Sequence, residues 1–117
     1  MDEKELDALA ALVAAGRRKA GTAAVLAERL GWRTDFTETP RTAELRRVLY
    51  EDAPLAIRAQ KLTENALKQI AGEAERGIAP EAELAQAADR LRETSALAQE
   101  ALDSVCRDLR ELEALAR

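Results

Sequence analysis

The side chains best suited to gripping another molecule lie close together in this 117-residue chain. Trp32, Phe36 and Tyr50 are its only aromatic residues, and Arg33, Arg41, Arg46 and Arg47 stand among them. Aromatic rings and arginines are the residue types that concentrate energy in binding interfaces. The guanidinium groups suit carboxylates and peptide carbonyls. Asp35, Glu38 and Glu44 suit amines, or the removal of a proton from one. Trp32 and Phe36 fall in Gly-Trp-Arg-Thr-Asp-Phe-Thr-Glu-Thr-Pro, residues 31–40, a stretch whose residue types resist helix. Loops of this length on rigid helices often carry function. A peptide-like ligand at this elbow is the leading expectation. Trp32, Arg33, Phe36, Arg41, Arg46, Arg47 and Tyr50 would bind it, and Asp35, Glu38 and Glu44 are the candidate bases. The competing expectation is a packing cluster, in which the three rings fasten the loop to the bundle and are sealed from solvent.

Other chemistry is sparse. The chain has no histidine, which removes the usual general base, the Ser-His and Cys-His pairs, and most zinc and di-iron helical sites. Glu100-x-x-Asp103 matches half of the paired carboxylate pattern that holds magnesium in helical pyrophosphatases, and surface charge on a helix explains it better. Gly16-Arg-Arg-Lys-Ala-Gly21-Thr22 lacks the strand and the lysine of a phosphate loop. Cys106, the single cysteine, has no base beside it and is expected to be a packed thiol. Neither a metal nor a cofactor is expected.

The elements that must position the elbow read as helices. Composition is 47% hydrophobic, 34% charged and 3% aromatic, rich in the strong helix formers Ala, Leu, Glu and Arg. Asp2-x-x-Glu5 opens a first helix in the manner of a capping box, with Leu6, Leu9, Leu12 and Val13 as its stripe. Gly16 is expected to stop that helix, and Thr22 to cap a second one that ends at Gly31. Residues 32–39 then form the aromatic loop. Thr39-Pro40 is a capping hydroxyl followed by proline at the first helical position. A stripe of Leu45, Val48, Leu49, Leu55, Ala59, Leu62, Ala66 and Ile70 keeps phase past Pro54, predicting one long kinked helix over 40–76. Gly77-Ile-Ala-Pro80 turns the chain. Over 80–117, Leu84, Leu91, Ala98, Val105 and Leu112 recur every seven residues, a coiled-coil-like seam accompanied by Ala88, Ser95, Leu102, Leu109 and Ala116.

The expected fold is therefore all-α: a single helical domain, 1–117, built on a long antiparallel helical hairpin with two short N-terminal helices. Each arm would be roughly 55 Å long at 1.5 Å per residue. Two short helices cannot cover both arms, so the exposed seam calls for a homodimer or a helical protein partner. Net charge is −4 with pI near 5.0, which argues against generic binding to nucleic acid or anionic membrane. Residues 1–15 carry −3, residues 16–61 carry +4 and residues 62–117 carry −5. The lone cysteine and the lack of a secretory signal or long apolar run point to the cytoplasm. Thr22–Trp32 is similar to the first helix and turn of helix-turn-helix DNA binders, with Arg41, Arg46 and Arg47 on the next helix. The connection from Gly31 to Pro40 is too long for that motif.

In length, helical character, expected dimerisation and lack of metal ligands, the chain resembles the small all-helical lysinoalanine-forming proteins of duramycin and cinnamycin biosynthesis. The resemblance rests on size and architecture, with no shared motif. It implies a cofactor-free, peptide-tailoring activity in which a substrate lysine amine adds to a dehydroalanine of the same peptide. The protein's part would be proximity, proton removal and charge stabilisation. Local chemistry offers Asp35, Glu38 or Glu44 for the proton and Arg41, Arg46 or Arg47 for the developing charge.

Overall fold

The computed structural model describes residues 1–116 and is all-helical: α1 (Glu3–Gly31), α2 (Pro40–Arg47), a π-helical turn (Val48–Asp52), α3 (Ala53–Arg76) and α4 (Glu81–Ala114). Helices α1, α3 and α4 pack together along a body of 57 × 19 × 16 Å. Its radius of gyration of 17.6 Å exceeds the roughly 13 Å of a compact 100-residue domain. Long ion pairs fix the helix directions. Lys19 meets Asp103 and Arg29 meets Glu113, so α1 runs the same way as α4. The chain reverses at 77–80, where Gly77 takes a left-handed conformation (φ 66°) and donates its N–H to Glu73.

The N-terminal third differs from the expectation of two short helices. α1 is one helix of 29 residues, begun by the Asp2 carboxylate accepting from the Glu5 N–H at 2.9 Å. Thr22 caps nothing; its hydroxyl donates to the Arg18 carbonyl inside the helix. Gly16 is buried against α3 rather than ending the helix. A Cβ there would stand 2.0 Å from Gln60 Oε1, so the glycine is what lets Gln60 reach the Val13 carbonyl at 2.9 Å. A glycine inside a helix costs about 1 kcal/mol relative to alanine, and here that cost is offset by close helix contact. A single α1 of this length, roughly 44 Å at 1.5 Å per residue, covers the seam of α4. Leu84, Leu91, Ala98, Val105 and Leu112 are buried within their own chain, as are Ala88, Ser95, Leu102 and Leu109. Ala116 is half-buried, and Arg117 lies outside the described residues.

Where a kink is expected at Pro54, the structure has a π-helical turn just before the proline. Proline cannot donate a backbone hydrogen bond, and its ring clashes with the carbonyl four residues earlier. The chain inserts one wide turn, in which the Ala53 N–H reaches back five residues to the Val48 carbonyl. The wide turn changes which residues of the stripe face inward. Leu45 and Leu49 are buried before it, but Leu55 and Leu62 are 65% and 61% exposed after it. In their place Ala53, Ala56, Gln60, Thr63 and Ile70 face the core.

Two apolar clusters result. One gathers Leu26, Leu30, Leu45, Leu49, Leu102, Leu109 and Leu112 at the elbow end. The other gathers Leu9, Val13, Ile70, Leu84 and Leu91 at the turn end. The polar contacts of Gln60 with Val13, and of Gln99 with the Leu12 carbonyl at 2.8 Å, lie on α1 between them.

Candidate functional site

The elbow is held firmly. Thr39 and Thr42 form a reciprocal cap at the start of α2, and the Thr42 hydroxyl also donates to the Thr37 carbonyl at 2.7 Å. Phe36 pairs its backbone with Ala116 and packs its ring on the elbow-end cluster. Phe36 is thus partly a packing residue, as the cluster expectation had it. Trp32 and Tyr50 are not: they are 84% and 57% exposed. Tyr50 lines a shallow depression of about 330 Å³ with Glu38, Ala43, Arg46, Arg47 and Glu51, and neither Trp32 nor Phe36 lines it. The structure therefore brings together Tyr50, Arg46, Arg47 and Glu38, and leaves Trp32 to one side at the end of α1.

The charged residues of the elbow are paired with one another. Arg33 grips Asp35 with two hydrogen bonds, of 2.9 and 2.5 Å. Arg41 takes Glu111 of α4 in a bidentate pair at 2.6 and 2.7 Å, and Glu44 at 3.0 Å. Arg46 holds Glu38, and Arg47 stands 3.9 Å from Glu51. The hydrogen bonds from Arg33 hold the Asp35 carboxyl below the usual carboxylate range, and those from Arg41 do the same for Glu111. A carboxylate whose charged form is stabilised this way is a weaker base. Each of the three candidate bases, Asp35, Glu38 and Glu44, has an arginine partner. An incoming carboxylate or amine must exchange with these pairs. That exchange is feasible at the surface, where an ion pair is worth only about 0–1 kcal/mol.

Thr22–Gly31, the first helix of the helix-turn-helix likeness, is the second half of a 29-residue helix. Glu100 and Asp103 do not join a wider cluster: among the described residues no group of three or more such side chains could hold a metal ion. Cys106 is buried, its thiol 3.8 Å from the Lys19 carbonyl, and burial pushes its pKa up. Among the described residues no helix is long and apolar enough to cross a membrane.

An apolar groove lies elsewhere, lined by residues that the sequence pattern assigns to the core or passes over. Between α3 and α4, on the side away from α1, runs a groove of about 740 Å³. Leu55 and Leu62 of α3 and Leu97 of α4 stand along it, the last 65% exposed. Ala59, Ala98 and Ala101 leave room between them. A signal for it exists in the sequence: α4 carries a second stripe beside the seam, Thr94, Leu97, Ala101 and Ser104, at the same alternation of three and four. A helix with two apolar stripes has two neighbours to satisfy.

Fold and surface together define a three-helix body with a capped elbow and an apolar groove between α3 and α4. No family model matches the chain, and neither a curated protein nor a solved structure matches it.

Proposed function

We propose that this protein is a homodimeric helical binding module that joins through the α3/α4 groove and presents its elbow to a peptide-like ligand. The observation that carries the reading is the exposure of Leu55, Leu62 and Leu97 along one groove. Burying a leucine is worth about 1.5–3 kcal/mol, and contiguous apolar surface of this kind marks interaction sites. A second copy fits by size. The long face of the molecule, 57 Å by 19 Å, offers on the order of 1,000 Å², against about 800 Å² per partner in a standard interface. It also fits by shape, because each chain supplies two helices and the pair would complete a four-helix layer, a packing helices readily adopt.

The elbow lies at one end of this body, beside Glu111 near the end of α4, and the dimer contact leaves it open. Binding is the role its charges favour, because every candidate base there is committed to an arginine. Exposed rings at Trp32 and Tyr50 supply contact area, and the arginines supply orientation once a ligand carboxylate displaces their internal partners.

Light scattering coupled to size exclusion, over a concentration series, tests the dimer. The expected mass at tens of micromolar is twice 12.8 kDa. Leu62→Asp and Leu97→Asp, both on the open surface, should each give the single mass with helicity unchanged. A wild-type chain that stays monomeric across the series overturns the reading.

A further inference from the structure

We infer that the second copy docks antiparallel, about a two-fold axis level with position 99, so that Arg90 of each chain meets Asp108 of the partner subunit. This rests on the dimer reading above and specifies its geometry. The seam of α4 faces its own core, and beside it runs the stripe Arg90, Thr94, Leu97, Ala101, Ser104 and Asp108, of which the first four are exposed and the last two half-buried. Read outward from position 99, that stripe is built of complementary pairs at equal distances. Leu97 mirrors Ala101, a large side chain against a small one. Thr94 mirrors Ser104, hydroxyl against hydroxyl. Arg90 mirrors Asp108, cation against anion.

An antiparallel pair of α4 helices brings each member against its mirror, and the symmetry makes every contact twice. A parallel pair would set Arg90 against Arg90 and Asp108 against Asp108, which like-charge repulsion disfavours. Both charges are available for this. Among the described residues neither Arg90 nor Asp108 makes an ion pair inside its own chain, whereas Arg92 two positions on is held by Asp89 at 2.7 Å. Helix α3 repeats the pattern. About a midpoint between 60 and 61, Leu55 mirrors Ala66 and Ala59 mirrors Leu62. Ala59 and Leu62 line the groove with Leu97 and Ala98, so the two midpoints stand within about one helical turn, 5.4 Å, in height.

The geometry has a functional consequence. Glu111, which anchors Arg41 at the elbow, lies twelve positions from the axis, or roughly 18 Å at 1.5 Å per residue. The two elbows of the dimer then face opposite ends, roughly 36 Å apart, within reach of an extended peptide of about 11 residues. A ligand of that length carrying two recognition segments gains by bridging both elbows.

Charge reversal tests the register. Arg90→Glu and Asp108→Arg should each raise the dimer dissociation constant by about tenfold or more, since each turns two attractions into repulsions. The combined Arg90→Glu/Asp108→Arg chain should return to within about threefold of wild type. Circular dichroism checks that helicity is kept. Losses that add in the double variant, or single variants that leave the constant unchanged, overturn the register. In that case dissociation by Leu97→Asp would still uphold the groove as the contact. A monomeric wild type would remove both.

Discussion

Gly16 and Gly21 lie five positions apart in the same helix and should respond in opposite directions to alanine. At Gly21 nothing lies within 4 Å of an added Cβ. The substitution there only removes backbone freedom from the unfolded chain and adds helix propensity, a gain of about 1 kcal/mol. For a domain of this size, unfolding entropy near 2.1 cal/mol/K per residue makes that gain a rise of about 4 °C in the melting midpoint. At Gly16 the same propensity gain meets an obstacle. The added Cβ would be 2.0 Å from Gln60 Oε1 and 2.7 Å from its Cδ. Gln60 is 1% exposed and cannot swing into water. To make room it must give up its bond to the Val13 carbonyl, or push α3 away from α1.

Losing a buried hydrogen bond costs about 1–3 kcal/mol, and overpacking costs about 1–3 kcal/mol more. After subtracting the propensity gain, Gly16→Ala should destabilise the fold by about 1–5 kcal/mol, lowering the midpoint by about 4–20 °C. Thermal melts followed by circular dichroism at one fixed protein concentration would measure both changes. Gln60→Ala supplies the control. In that background the obstacle is gone, and Gly16→Ala should become neutral or stabilising. A midpoint that rises in Gly16→Ala as it does in Gly21→Ala would refute the contact. So would an equal loss with Gln60 already truncated.

Three further outcomes are expected. Cys106 should react with a thiol reagent at neutral pH far more slowly than a free cysteine, because burial disfavours its thiolate; rapid modification of the folded protein would contradict the packing of α1 on α4. Asp35 and Glu111 both have their pKa lowered in the fold, so what they contribute is present above the ordinary carboxylate range and lost as acid protonates them. Stability should therefore decline as pH falls from about 5 toward 3, less steeply in Arg41→Gln; identical slopes would show that Arg41 plays no part. Trp32, the only tryptophan and 84% exposed, should emit at water-exposed wavelengths and shift to the blue when a short peptide bearing a carboxylate and an aromatic ring covers the elbow. Binding of such a peptide without any shift would place its site elsewhere.

How far the sequence foretells this fold depends on what each residue's signal is about. Local signals read well. Asp2 and Thr39 cap helices, Pro40 starts one and Gly77 turns the chain, because each of these follows from backbone geometry. The seam of α4, expected to stay partly exposed for a partner, is instead buried within its own chain by the longer α1. Gly16 misled because a glycine that ends a helix and a glycine that admits a neighbouring helix look alike until the neighbour is known. The neighbour here is Gln60, which carries no apolar signal. Pro54 marked an interruption but not its form as a wide turn, after which Leu55 and Leu62 face out. At the elbow, residue types marked the break in helix between Gly31 and Pro40. They could not reveal that each arginine already holds a carboxylate, since Glu111 comes from a helix seventy positions away.

The outcome at α3 bears most on function. After Pro54 the helix has two faces that could seek a core. One carries Ala53, Ala56, Gln60, Thr63 and Ile70; the other carries Leu55, Ala59, Leu62 and Ala66. The first, with Ile57 and Leu67 beside it, is the one turned inward, and Ala66 also packs on the turn-end cluster. Shape explains that choice, because small residues, with Gln60 opposite Gly16, let α1 and α3 approach closely, as leucines in those places would not. Leu55 and Leu62 are thereby left on the outside, and α4 leaves Leu97 beside them. Leucines exposed singly over a surface need no partner, whereas each one buried is worth about 1.5–3 kcal/mol. That the leucines of both helices converge instead on one groove is accounted for if the groove is closed by another chain, and the mirrored stripe about position 99 makes a second copy the natural occupant.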